Sequence, residues 1–324
     1  MRVTKLLSDK TKLMFAARAA LCAFITIIFS GCLLGDDIET LRRKARENSV
    51  IIVPGYDLNA EFDWLELNAQ DGGNYIMNVY SDTLLEPRYL YYEGKNITVT
   101  LIGDNKERVI ETVNNDAFFV IGPEVKLILD NNITLFGTEN RKSSIVCVES
   151  GGNLTMRSGS KITGNTASGN GGGVFVLGGS FYMYGGIISD NRSTPYNGGG
   201  VYVSGGTMLF GGGIISGNKA ESGGGVYIEN GIFSMTGGEI SGNSANNLGG
   251  GIYVRFFENG MFSKTRGIIF GKNETSGKVN SASVGAAVCL EFNLSADSLI
   301  KEENVNDDHG LHFDYSSGVG SGWD

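Results

Sequence analysis

The stretch GGGVYVSGGTMLFGGGIISGN, residues 198–218, holds nine glycines among β-branched, aromatic and other strand-forming residues. It recurs. GGGVFVLGGSFYMYGGIISDN (171–191), GGGVYIENGIFSMTGGEISGN (223–243) and GGGIYVRFFENGMFSKTRGIIFGKN (249–273) align with it, their starts falling 27, 25 and 26 residues apart. A weaker copy precedes them at 145–165 and a decayed one follows at 284–292. Upstream, YIMNVY, NITVTLIG, AFFVIG and VKLILDNNITLFG keep the beat without triple glycines. Each unit has three short runs of period-two apolar residues divided by Gly-Gly or a polar loop, which reads as three strands bounded by turns. Strands this short bury nothing alone, so units must stack. The expected fold is all-β: a right-handed parallel β-helix solenoid of about 7–8 coils of 25–27 residues.

Stacking places equivalent residues of successive coils one strand spacing apart, about 4.8 Å. Glycine is costly to order, so its abundance marks corners that need its backbone freedom and absent side chain. Val174, Val201, Val226 and Ile252 form one expected interior column, and Val176, Val203, Ile228 and Val254 another. Phe181, Met208 and Phe233, Met183, Phe210 and Met235, and Ile162, Ile188, Ile215 and Ile240 complete the interior. Asn165, Asn191, Asn218 and Asn243 each stand three residues after one of those isoleucines. They are expected to form an amide ladder from coil to coil, with Asn170 outside it in a polar loop.

Four segments follow: 1–31 a lipoprotein signal peptide, 32–74 a membrane-proximal spacer and capping helix, 75–292 the β-helix (regular repeats 145–273), and 293–324 a C-terminal cap or tail. The short N-terminal helix is placed at ETLRRKAREN, opened by a capping box at Asp36-Asp37-Ile38-Glu39. Basic residues precede the apolar run 19–29, too short to span a bilayer, which ends at Ser30-Gly31-Cys32. Small residues before a cysteine make Cys32 the expected lipidation site, and the chain is expected to be exported and anchored to a bacterial outer membrane or cell surface. The alternatives are an uncleaved anchor and plain signal-peptidase cleavage beside an incidental cysteine. Without residues 1–31 the chain holds 21 basic and 34 acidic residues, a charge of −13. That excludes a nucleic-acid footprint. Cys147 and Cys289 occupy corresponding places five coils apart, about 24 Å, too far for a disulfide.

The GGG-[VI] and I-x-x-N pattern resembles the paired motifs of bacterial polymorphic membrane proteins. The combination of Ser-Gly-Cys, DIETLRRK, the GGGVYV and GGEISGN coils and the terminal GWD is similar to spirochaete-type surface lipoproteins. The resemblance implies a pectin-lyase-like solenoid displayed at a cell surface, and that solenoid hosts enzymes and adhesins alike.

Catalysis on such a scaffold requires converging carboxylates or bases. Asp190, Glu221, Glu229, Glu239 and Glu258 occupy different repeat positions and should point in different directions. Asp307-Asp308-His309 with His312 is better explained as tail composition than as a metal site. The glycine runs lack the aspartate of calcium-binding nonapeptides and the Lys-Ser/Thr of phosphate loops. No metal or other cofactor is expected. Phe175, Tyr202, Tyr227 and Tyr253 alternate with the interior valines and therefore point outward. They form either a flat stripe on which a sugar or a partner stacks, or a column whose rings stabilise one another. The leading expectation is a monomeric, non-catalytic, adhesin-like surface lipoprotein that binds host, matrix or glycan. The alternatives are a polysaccharide lyase or hydrolase and a purely structural envelope protein.

Overall fold

The computed structural model describes residues 50–112, 114–139, 141–256, 260–271 and 278–292. The chain divides into two compact units, Met1–Ala45 and Arg46–Asp324, and every described residue belongs to the second. Cys32, the ETLRRKAREN segment, Glu258, His309 and His312 lie outside the described residues.

The second unit is a parallel β-solenoid of about eight turns, with three walls. The first wall is an eight-stranded sheet, represented by Val201–Ser204. The second and third walls, represented by Thr207–Phe210 and Ile214–Ser216, belong to one fifteen-stranded sheet. They join where Ile232–Ser241 runs through the corner as a single strand. Two-residue strands such as Lys219–Ala220 form a fourth, narrow sheet at the remaining turn. Pairing is in register with the repeat: Val174 pairs with Val201, Val201 with Val226, Val226 with Ile252, and Ile252 with Val288. Eight stacked strands make the first wall about 34 Å long at ordinary strand spacing. All the interior columns expected from the repeat are fully buried in one apolar core.

The triple glycines have two separate causes. Gly198 has φ +69°, and a Cβ there would also stand 2.6 Å from the Val201 carbonyl oxygen. Gly199 and Gly200 are not left-handed; a Cβ on either would lie 2.4 or 2.7 Å from a glycine carbonyl oxygen of the next coil. One glycine turns the chain, and the next two let the coils approach.

Strand pairing begins upstream of residue 75. Val50–Ile52 pairs in parallel with Asn74–Ile76, and between them lies the helix Leu58–Asn68. Asp57 caps it, its side chain accepting from the Ala60 N–H at 3.0 Å. Leu58, Phe62 and Leu65 share one face by helical spacing and are buried in the core of the coils. Arg88, in the first coil, occupies the column that the next coils fill with Phe119, Val146 and Val174. Its guanidinium reaches the helix instead, donating to Asp63 at 2.6 Å and to the Asn59 carbonyl at 3.0 Å, and lies over the Phe62 ring. The helix therefore covers the N-terminal end of the solenoid.

Candidate ligand-binding face

The outward residues of the first wall form a single column: Tyr89, Val120, Cys147, Phe175, Tyr202, Tyr227, Tyr253, Cys289. The four sequence-predicted rings are therefore brought together on the outer side, as alternation requires. They are not an open stripe. Tyr202, Tyr227 and Tyr253 are 5%, 3% and 3% exposed, and only Phe175 is half-buried. Nor are they flat: Phe175 meets Tyr202 edge-on at 75°, Tyr202 stacks on Tyr227 at 16°, and Tyr227 meets Tyr253 at 70°. The left-handed glycines Gly198, Gly223 and Gly249 lie against the Cβ atoms of these tyrosines, and Leu248 packs on the cluster.

The hydroxyls are tied down as well. Tyr202 donates to Glu229 at 2.5 Å and Tyr253 donates to Glu291. Arg255, one coil beyond Glu229, lies 3.9 Å from that carboxylate and 3.5 Å from Glu291, and it bonds the Tyr227 hydroxyl. Burial first, and then the neighbouring carboxylates, raise the ionisation of all three tyrosines above its ordinary range. Cys147 and Cys289 are free thiols at opposite ends of this stretch, each pushed up to about 11 by burial. The C-terminal half of the wall is a sealed, hydrogen-bonded zipper.

The N-terminal half is open. Tyr89 and Tyr91 are 57% and 47% exposed, with ring centroids 6.2 Å apart. Beside the main column Glu149 pairs with Leu177, and Gly122 lies against Tyr91. Leu177 is 46% exposed, and Gly122 contributes no side chain. The Tyr89 hydroxyl donates to Glu149 at 2.8 Å, two coils away, and this bond chiefly raises its ionisation. These residues were not singled out from the sequence because RYL, the strand carrying Tyr89, has no glycine triplet to align it. Its place one beat before AFFVIG was the available signal.

The amide ladder is present and buried. Asn165, Asn191, Asn218 and Asn243 are at most 1% exposed, and each passes its backbone N–H to the next side-chain oxygen at 2.8–3.2 Å. It has a fifth rung, Asn280, which accepts both the N–H and Nδ2 of Asn243. An insertion after Ile269 hides it, although Asn280 stands eight residues before Val288 as Asn218 does before Val226. The ladder ends at Asn165, whose Oδ1 has no partner; the register puts Thr138, not an asparagine, in the preceding coil. Asn170 is not a bystander: its Oδ1 accepts from the Asn197 N–H, and Asn197 accepts in turn from Ser222, a second and shorter ladder.

The scattered carboxylates sit apart. Glu229 is on the first wall, Glu239 pairs with Lys278 on the third, Glu221 bonds Asn246 and Asn247 at the turn, and Asp190 is exposed. Among the described residues no three His, Cys, Asp or Glu side chains gather as a metal would need. No described helix is long and apolar enough to cross a membrane. No protein-family model matches the chain, and neither a curated protein nor a solved structure is detectably similar to it.

Proposed function

We propose that the chain is a non-catalytic, surface-anchored β-solenoid that binds an extracellular partner, glycan or protein, along its outer wall. The observation that carries the reading is the exposed aromatic and aliphatic surface of Tyr89, Tyr91 and Leu177 beside half-buried Phe175, on a wall whose other half is sealed by its own side chains. Solvent-facing apolar groups clustered on one wall are the usual mark of a binding surface. The separation of the carboxylates onto different walls supports binding rather than hydrolysis or elimination, both of which need converging acid and base groups. Anchoring is assigned to a lipid on Cys32, and the motif resemblance to spirochaete-type surface lipoproteins supports that placement.

Two experiments test it. Cys32→Ala should lose acyl label and leave the detergent phase; a variant that stays membrane-bound contradicts the lipid anchor. The full chain in detergent, screened against oligosaccharides and matrix proteins, should bind a member of one class without turnover. Turnover of any polysaccharide contradicts the non-catalytic reading, and no binding to either class contradicts the binding reading.

A further inference from the structure

We propose that the open end of the first wall binds a neutral glycan chain laid across the coils, with one sugar face stacked on Tyr89 and sugar hydroxyls donated to Glu149. The inference rests on the binding reading above and names the ligand class and the residues that take it.

The Tyr89 hydroxyl meets a carboxylate two coils away, about 10 Å along the wall at ordinary strand spacing. To make that bond the side chain must run along the wall instead of standing off it, and it remains 57% exposed. Tyr91 adds a second ring, tilted by 49°. Ring faces attract the apolar C–H faces of sugars without needing charge. Glu149 supplies the complementary polar contact. An ionised carboxylate only accepts, and it has more acceptor positions than the single Tyr89 bond uses. It has no ion-pair partner among the described residues. Hydroxyl donors satisfy it; a uronate or a sulfate is repelled by it and by a chain of net charge −9.

Size also favours a small ligand. The surface from Tyr89 to Leu177 spans three coil steps, about 14 Å. A stable protein interface needs roughly 20–30 residues a side, whereas the open part of this wall offers Tyr89, Tyr91, Phe175 and Leu177 around one carboxylate.

The full chain in detergent is titrated calorimetrically with cellohexaose, chitohexaose and polygalacturonate. At least one neutral hexasaccharide should bind more tightly than polygalacturonate. Tyr89→Ala should weaken it tenfold or more, and Glu149→Gln should weaken it several-fold while narrowing the discrimination against polygalacturonate. Tyr184→Ala, which alters the separate Tyr182–Tyr184 ring pair at its exposed member, should leave binding unchanged, with β-type circular dichroism retained throughout. Loss of binding in Tyr184→Ala but not Tyr89→Ala, or preference for polygalacturonate, overturns the proposal. Binding to a matrix protein with no saccharide response overturns the glycan assignment alone, and no binding to any probe overturns the binding reading with it.

Discussion

Replacing Asn218 with alanine removes a middle rung of the buried ladder. Its Oδ1 accepts from the backbone N–H of Asn191 at 3.0 Å and from its Nδ2 at 3.1 Å. Its own Nδ2 donates to the carbonyls of Ile188 and Ser216 and to Asn243 Oδ1, at 3.0–3.1 Å. After substitution the Asn191 side chain keeps its bond to the Ile162 carbonyl, but the Asn191 backbone N–H is stranded where no water reaches. A stranded buried donor costs about 1–3 kcal/mol, and the lost amide donations add about 1 kcal/mol, for an expected loss of about 2–4 kcal/mol. The end rung differs. Nothing donates into Asn165 Oδ1, so Asn165→Ala strands no donor and removes only the donations to the Ser143 and Gly172 carbonyls, about 1 kcal/mol. Asn105, exposed in the turn after Ile97–Gly103, should lose nothing measurable. Urea melts followed by circular dichroism, with slopes compared to check that cooperativity is unchanged, should rank the losses Asn218, Asn165, Asn105. Equal losses at Asn218 and Asn105, or a larger loss at Asn165 than at Asn218, would refute the ladder as a directional structure.

Glu61, in the first turn of the capping helix, is 1% exposed, and burial, aided by the charge of Asp57, raises its carboxyl to about 7. From pH 4.5 to about 7 the folded chain holds a proton that the unfolded chain releases, so stability should fall as pH rises through that window, by at most about 3 kcal/mol. Glu61→Gln should flatten the dependence and be the more stable protein at pH 8; lower stability of the variant at pH 8 would contradict this. Gly205 and Gly198 share a left-handed φ, +65° and +69°, but a Cβ on Gly205 meets open space. Gly205→Ala should therefore cost about 1 kcal/mol of conformational strain, and Gly198→Ala at least about 3 kcal/mol by thermal melts, because it adds a backbone clash. Equal costs would show that the turn alone, and not close approach, requires that glycine.

The repeat made the coils legible because stacking translates sequence period directly into columns. Every interior residue named from the triple-glycine units is buried, and the Asn column bonds as its spacing implies. Where the glycines fade, the pattern weakens: Thr83–Leu85, Arg88–Leu90 and Arg108–Thr112 are third- and first-wall strands that no glycine triplet frames. The helix Leu58–Asn68 was missed although Asp57 is a good N-cap residue, because only three of its residues mark its apolar face. Alternation correctly placed Phe175, Tyr202, Tyr227 and Tyr253 on the outside of the wall. It could not say what lies over them. That depends on how the left-handed glycines, which the repeat marks only as corners, fold onto the tyrosine Cβ atoms, and on Leu248, which stands where the other units have Asn170, Asn197 and Ser222. For the same reason the open end escaped notice: exposure there follows from neighbours that are missing.

One wall of the stacked solenoid is sealed by its own tyrosines at one end and open at the other. Tyrosine nitration of the native chain, read residue by residue by mass spectrometry, tests it most directly. Tyr89 and Tyr91 should be modified under native conditions, while Tyr202, Tyr227 and Tyr253 stay unmodified until urea unfolds the coils. Modification of Tyr202, Tyr227 and Tyr253 in the native state at the rate of Tyr89 would contradict both the sealed zipper and the location of the binding end.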